Sequence, residues 1–355
     1  MGVLLKRLIL QGFRSYEDRK LLISKEVTAV VGQNAKGKTN ILEALRLLSV
    51  GESFRAGKIE EMVKFGEEMG RVEAILRDGG EEVKLTVVVT RGEVGGKRVA
   101  KRRYLINDVG KKKSDFVGML PTVVFRPEDL ELMDGSPSLR RKWFDGILVQ
   151  EKGEYQRSLM AYEKSLRRRN RVLDAMREGE ATKYQLTFWD GLVVRHGQVL
   201  TEMRERLVNY VNNVFARSEL FSDLRIEYDK SLVNERRLKQ YEKEEVLAGY
   251  TLVGPHKDDF AVIANEEKGE RDLSVYGSRG EQRMAVLGLK MGELLYLEDV
   301  LGSKPLLLLD DVFSELDEVH SEEVHRVMLG RQVVVTTTDE GDLGNLKKVK
   351  VIKLD

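Results

Sequence analysis

Apolar and polar positions change period twice along the chain, and those changes mark out its organisation. Leu4 to Leu10 and Lys20 to Ser24 alternate as strands do. Val27 to Val31 is a short, β-branched apolar run, the pattern of a strand buried on both faces. From Asn40 to Leu48 the spacing becomes helical, with Ile41, Leu42, Leu45 and Leu48 on one side. Arg71 to Leu76 and Glu82 to Thr90 return to strand character, and Asp78-Gly79-Gly80 between them signals a hairpin. Antiparallel strands beside a parallel nucleotide-type sheet predict a mixed sheet with an extra β layer. Thr122 to Phe125 adds one more strand.

The middle of the chain is helical. Ser136 reads as an N-cap with Pro137 at the first helical position, opening a helix to Val149. Longer helices over Glu154 to Glu178 and Thr182 to Arg217 predict an arm standing off the sheet. Strands follow at Leu224 to Tyr228 and Asp259 to Ala264. A helix opens at Ser278 and carries Met284, Leu287, Leu294 and Leu297 on its apolar side. Pro305 to Leu309, Gln332 to Thr337 and Lys348 to Leu354 close the chain as strands. The expected fold is α/β: a discontinuous nucleotide domain over 1–125 and 255–355, with a mainly helical domain inserted at 126–254.

Composition narrows the chemistry. The 355 residues include no cysteine, so disulfides and thiolate metal sites are excluded, and four histidines argue against a zinc enzyme. No run approaches the length of a membrane span, and MGVLLKRLILQGF lacks a signal-peptide core, so a cytoplasmic protein is expected. The net charge of +1 conceals an asymmetry. Pro137 to Ser218 holds sixteen Lys/Arg against ten Asp/Glu, a balance of +6, which leaves −5 for the rest. Lys97 to Lys113 holds eight cations and one acid, Asp108. Such runs are either solvated edges or contacts to a polyanion backbone.

The stretch between the buried strand and the first helix carries the chemistry. Gly32, Gln33, Asn34, Ala35, Lys36, Gly37, Lys38 and Thr39 fit the phosphate-loop pattern, and Asn40 continues into the helix. Loop N–H groups and the helix dipole would converge on an anion. Lys38 would reach the β- and γ-phosphates of ATP, and the Thr39 hydroxyl would hold Mg²⁺. The apolar strand at Pro305 to Leu309 ends in Asp310 and Asp311, and such acids are costly there unless a cation balances them. Asp310 is therefore the expected second metal ligand and Asp311 the group that orients or deprotonates a water. Read alone, the pair could equally be two turn aspartates.

With these residues in hand, the chain resembles an ABC-type ATPase head, and specifically the RecF family, from end to end. Ser278, Gly280 and Gln282 match the family's signature motif. Ser314, Glu315, Leu316 and Asp317 match the loop after its metal-binding strand. Pro127, Glu128, Gly135, Pro137, Arg140, Arg141 and Asp145 form one run seen in RecF proteins, and Gly254-Pro255-His256-Lys257-Asp258-Asp259 forms another. There are departures. Trp143-Phe144 replaces an aromatic–aliphatic pair, and Asp311 stands where transporter-type members have Glu. Thr336-Thr337-Thr338-Asp339 replaces the switch histidine. The last two imply slow hydrolysis.

The resemblance implies that Ser278, Gly280 and Gln282 complete the ATP site of an opposite subunit, so that ATP holds a homodimer shut on DNA, duplex or at single/double-strand junctions. It also implies RecR and RecO as partners and loading of the RecA recombinase at gaps. Two alternatives are a head subunit of an SMC or repair-nuclease type and a small-molecule phosphotransferase. The insertion lacks sustained heptads, which disfavours the former, and a kinase has no use for a signature motif in trans.

Overall fold

The computed structural model describes residues 2–151, 153–266, 269–314, 318–344, 346 and 348–354. The chain divides into two compact units, Met1–Asp129 with Glu293–Asp355, and Leu130–Gly292.

The first unit opens with β1 (Leu4–Phe13), β2 (Tyr16–Leu22), β3 (Val27–Val31) and α1 (Lys38–Val50). It continues through β4 (Met69–Asp78), β5 (Glu81–Thr90), β6 (Glu93–Val94), β7 (Lys97–Arg98), β8 (Arg102–Ile106), β9 (Val109–Lys111), α2 (Lys113–Phe116) and β10 (Thr122–Phe125). The second unit holds α3 (Glu131–Asp134), α4 (Pro137–Leu148), α5 (Glu154–Arg177), α6 (Tyr184–Ala216) and β11 (Leu224–Asp229). It is completed by α7 (Glu235–Gln240), α8 (Glu242–Ala248), β12 (Asp259–Glu266), β13 (Gly269–Asp272), α9 (Leu273–Tyr276) and most of α10 (Arg279–Leu301). The chain then returns to the first unit with β14 (Leu306–Asp310), α11 (Glu318–Met328), β15 (Val333–Thr337) and β16 (Val349–Lys353).

Two sheets build the first unit. A parallel sheet runs β10-β14-β15-β3-β16, and an antiparallel one runs β2-β1-β4-β5-β8-β9. The α/β fold and the added β layer are as expected, but the parallel and antiparallel strands form two separate sheets rather than one mixed sheet. β3, β14 and β15 are buried at every position, which is why they read as unbroken apolar runs. Ile41, Leu42, Leu45 and Leu48 of α1 join Leu8, Leu10, Val72, Val87, Leu308 and Val334 in one core. The β4–β5 turn, Gly79-Gly80, has both residues at positive φ, as a two-residue hairpin requires.

The basic run Lys97 to Lys113 folds largely into hairpins. Asn107 and Asp108, at φ 49° and 63°, make the two-residue turn between β8 and β9. Several of its cations are committed within the unit: Lys101 pairs with Glu60, Lys113 with Glu52 at 2.5 Å, and Arg102 donates to the Gly51 carbonyl.

In the second unit α5 and α6 pack along one another. Between them and their neighbours lies a buried polar network. The Arg204 guanidinium donates to Asp145 Oδ1 at 2.8 Å, Asp258 Oδ2 at 2.9 Å, the Pro255 carbonyl at 2.7 Å and Tyr155 Oη at 3.1 Å. Asp258, fully buried, also accepts from the Ser231 N–H and the Tyr228 hydroxyl. Arg140 forks onto Asp259, and Arg141 donates to the Asp258 carbonyl. The two runs singled out around Arg140 and His256 thus clasp each other. Trp143 and Phe144 pack against Phe260, so the aromatic pair fills that core.

The unit boundary differs from the sequence expectation, which returned the chain to the nucleotide domain at residue 255. β12 pairs antiparallel with β11 and β13, and this keeps residues 255–292 in the second unit. A hydrogen-bonded sheet outweighs the change of local composition at Gly254.

Candidate nucleotide site

The phosphate loop leaves β3 and enters α1 with its turn held from two sides. A side chain at Gly32 would press on the Leu354 carbonyl at 3.0 Å, and one at Gly37, at φ 93°, would meet Ser15 Oγ and Tyr16 Oη at 2.9 Å. Ala35 also sits at positive φ, 66°. The Lys36 N–H donates to the Gln33 carbonyl at 3.3 Å. Gln33, Asn34, Ala35 and Lys36 are exposed. Lys38 is buried, and its ammonium group donates to the Gly32 and Gln33 carbonyls at 2.5 and 3.3 Å. That holds one cation against the loop's own carbonyls.

Thr39 and Asp310, 271 positions apart, meet here. The Thr39 hydroxyl donates to Asp310 Oδ1 at 3.1 Å, and the Thr336 hydroxyl of β15 donates to the same oxygen at 2.7 Å. Burial pushes the Asp310 carboxyl above its usual range, against the two hydroxyl bonds that favour the anion. Glu128 raises it further by its own charge. A divalent cation would relieve that cost, and the hydroxyl–carboxylate pair is the kind of donor set Mg²⁺ takes when phosphate oxygens and water complete the shell. Among the described residues no group of three or more acids or histidines could hold a metal unaided. Asp311 follows at φ 50°, a left-handed conformation held by its N–H, which donates to the Thr336 carbonyl and hydroxyl, both at 3.1 Å.

A cleft of about 800 Å³ is lined by Asn34, Ala35, Gly37, Lys38, Thr39, Asn40, Asp310 and Asp311. It is also lined by Arg55 and Phe65, from the glycine-rich, charged loop after α1 that the sequence places close to the nucleotide, and by Arg14, Ser15 and Arg91, which the sequence reading did not single out. Arg14 and Ser15 form the tip of the β1–β2 hairpin, and that tip is tied to the loop. The Tyr16 hydroxyl donates to the Gly37 carbonyl at 3.1 Å, and Asn40 Nδ2 donates to Ser15 Oγ at 3.0 Å. Arg14, at φ 53°, donates to both oxygens of the fully buried Glu43 at 2.8 and 2.6 Å and to the Glu61 carbonyl at 2.8 Å. Three of its five N–H groups are spent there, which leaves two for an anion in the cleft. The only trace of this in the sequence is the strand break at Arg14-Ser15.

Ser278, Gly280 and Gln282 lie in the second unit, at the start of α10. Ser278 and Glu281 form a reciprocal cap. The Glu281 N–H donates to Ser278 Oγ at 3.3 Å, and the Ser278 N–H donates to Glu281 Oε2 at 2.7 Å. The Ser278 bonds, with Arg271 beside them, pull the Glu281 carboxyl down to about 2. Gly280 is exposed with open space over its Cα. Gln282 is buried, and its Nε2 donates to the Leu273 carbonyl at 2.9 Å, so its carboxamide closes α9. Of the stretch Ser314 to Asp317, Glu315, Leu316 and Asp317 lie outside the described residues.

Residues 4–354 match the family model of the RecF/RecN/SMC N-terminal domain. A DNA replication and repair protein RecF from Thermoanaerobacter sp. (strain X514) is 35% identical, with 95% of each chain covered. One from Cyanothece sp. (strain PCC 7425 / ATCC 29141) is 33% identical over 99% of this chain and 96% of the relative. Among solved structures, the recombination mediator protein RecF-ATPrS in the RecFOR pathway superposes with a TM-score of 0.85 at 31% identity, covering 99% and 96% of the two chains. An SMC head bound to the C-winged helix domain of ScpA shares the fold alone, with a TM-score of 0.52 at 16% identity over 98% and 93%. With a phosphate loop, a buried Asp310 and an α10 cap on this framework, the chain belongs to the RecF family of DNA replication and repair proteins, ABC-type ATPase heads of the RecF/RecN/SMC group.

Proposed function

We propose that the chain is a DNA clamp that closes as a homodimer on ATP and Mg²⁺ and reopens on slow hydrolysis. The observation that carries this reading is the meeting of Thr39 and Asp310 beside the buried Lys38. Lys38 and the loop amides take the β- and γ-phosphates, and Thr39 and Asp310 hold Mg²⁺. The metal, when bound, neutralises the phosphate charge that builds up as the bond to the leaving group breaks. Asp311, fixed in its left-handed conformation, orients and deprotonates the attacking water. The start of α10, with Ser278 and Gly280, offers its exposed first turn to the γ-phosphate of a second copy. ATP is then the differential contact that favours the shut dimer, and hydrolysis removes it. An Asp in the catalytic position and Thr336 to Asp339 in place of a switch histidine support slow turnover.

Ordinary phosphate-backbone binding accounts for DNA without base readout. The relatives are DNA replication and repair proteins, and the solved neighbour is a mediator in the RecFOR pathway, which supports RecR and RecO as partners and RecA loading at gaps as the outcome. Among the described residues no helix is long and apolar enough to cross a membrane. Light scattering of the full chain, with and without ATP and duplex DNA, tests the clamp. A mass that doubles only with ATP supports it, and an unchanged monomer with ATP and DNA together sinks it.

A further inference from the structure

The cluster Arg167-Arg168-Arg169-Arg171 resolves into three different roles once α5 is folded. Arg169 turns inward and is spent in the core, pairing with Asp190 and Glu245, both at 2.7 Å. Arg167 lies on the flank and pairs with Glu163 at 3.7 Å. Arg168 and Arg171 do neither. With 3.6 residues per turn, they share a stripe with Arg157 and Lys164 that is about 60° wide. The stripe stands diametrically opposite the buried side of α5, which is made by Tyr155, Tyr162, Arg169 and Leu173. All four stripe cations are exposed.

Two properties separate this stripe from an ordinary solvated face. The acids of α5, Glu154, Glu163 and Asp174, all fall outside it. Among the described residues none of the four cations has an ion pair or hydrogen bond, whereas several other exposed cations of the second unit do: Lys183 with Glu242, Arg206 with Glu151, Lys230 with Glu205. Like charges three and four positions apart, as in Lys164–Arg168 and Arg168–Arg171, weaken an isolated helix. Here that repulsion is carried by a helix whose other side is locked into α6. At 1.5 Å per residue, Arg157 to Arg171 spans about 21 Å, the axial length of about six base pairs.

We propose that the outer stripe of α5, Arg157, Lys164, Arg168 and Arg171, is a contact surface for the phosphate backbone of DNA. This rests on the clamp reading and assigns its DNA contact to the second unit. The contact is made through charge at regular spacing on a rigid helix and reads no bases, since the stripe offers no amide or acid for base edges.

The test uses the full chain with ATP and a fluorescent duplex, with affinity followed by anisotropy between about 50 and about 200 mM salt. In the variant Arg157→Gln/Lys164→Gln/Arg168→Gln/Arg171→Gln, the slope of log affinity against log salt should become shallower by about 0.9 per contact, about 3.6 in all. Replacing Arg157, Arg168 and Arg171 by Lys should keep the slope, because a point charge suffices for a phosphate. Arg167→Gln, already paired, should change nothing. Should the fourfold variant fold poorly, Lys164→Gln/Arg168→Gln gives the same reading at about 1.8. A folded variant with the wild-type slope overturns the stripe and leaves the clamp intact. Wild-type protein that binds no DNA with ATP overturns both.

Discussion

Arg204→Met separates a structural from a functional role for the two sequence runs that clasp in the second unit. Methionine keeps the aliphatic stem and removes the guanidinium, which donates four hydrogen bonds, two of them to carboxylates. Bonds to charged partners contribute about 1.5–3 kcal/mol each and neutral ones about 0.5–1.5, a gross loss of about 4–9 kcal/mol. Part is recovered because the guanidinium no longer has to be dehydrated. Asp258 remains fully buried, supported among the described residues by the Tyr228 hydroxyl and the Ser231 N–H. Removing one partner of such a buried pair costs about 3–5 kcal/mol.

Both tryptophans, Trp143 and Trp189, lie in this unit, and Trp143 is buried against Phe260, so intrinsic fluorescence reports its unfolding. With a urea dependence of about 2 kcal/mol per molar, the midpoint should fall by about 1.5–2.5 M. Arg206→Met, which breaks the 2.5 Å pair of a half-exposed arginine with Glu151, should lose less than about 1 kcal/mol. If Arg204→Met cost no more than Arg206→Met, the network would not hold the unit together. The runs around Arg140 and His256 would then need a ligand to explain them.

Lys38→Met should abolish ATP binding and with it ATP-dependent dimerisation, read by nucleotide titration and light scattering; dimers that persist with ATP would refute the loop assignment. Asp311→Asn should bind ATP yet accumulate a long-lived dimer, and normal phosphate release in that variant would move the water-activating role elsewhere. Ser278→Arg should leave monomer ATP affinity near wild type while dimerisation fails, beyond a stability loss of about 1 kcal/mol from the missing cap; an affinity loss equal to that of Lys38→Met would put the signature on its own chain's nucleotide. Burial holds His256 near 4, below its usual 6.5, so the unfolded chain takes up the proton first. Stability should therefore fall as pH drops from about 6.5 to about 4, by about 3 kcal/mol for this one group, and His256→Gln should lose that share of the pH dependence.

The parts of this fold that were legible in the sequence are those in which one local pattern decides. Val27 to Val31 had to be a strand buried on both faces, and glycines at 32 and 37 had to mark a tight turn, because the Leu354 carbonyl at Gly32 and the Ser15 and Tyr16 side chains at Gly37 leave little room for a Cβ. Asp310 was legible for a similar reason, since an acid closing a fully buried strand needs an electrostatic partner, and Thr39 and Thr336 stand beside it. Positions set by tertiary contact left no such trace. The β8 strand lies within a cation-rich run, where charge conceals the alternation, although Asn107-Asp108 marks its turn. Arg14 sits at a hairpin tip with no periodicity of its own, and only folding brings it to the phosphate loop.

Glu43 makes the point most sharply. A helix buried against one sheet would turn such a residue to solvent, but α1 is enclosed on most sides, with eleven of its thirteen residues buried. The carboxylate therefore has no water to face and must be matched inside the protein, by Arg14 and by the Ser53 hydroxyl at 2.5 Å. A charge buried at that depth fixes the arginine that faces the cleft. The candidate nucleotide site thus extends past its motif into the hairpin that the motif's own helix holds in place.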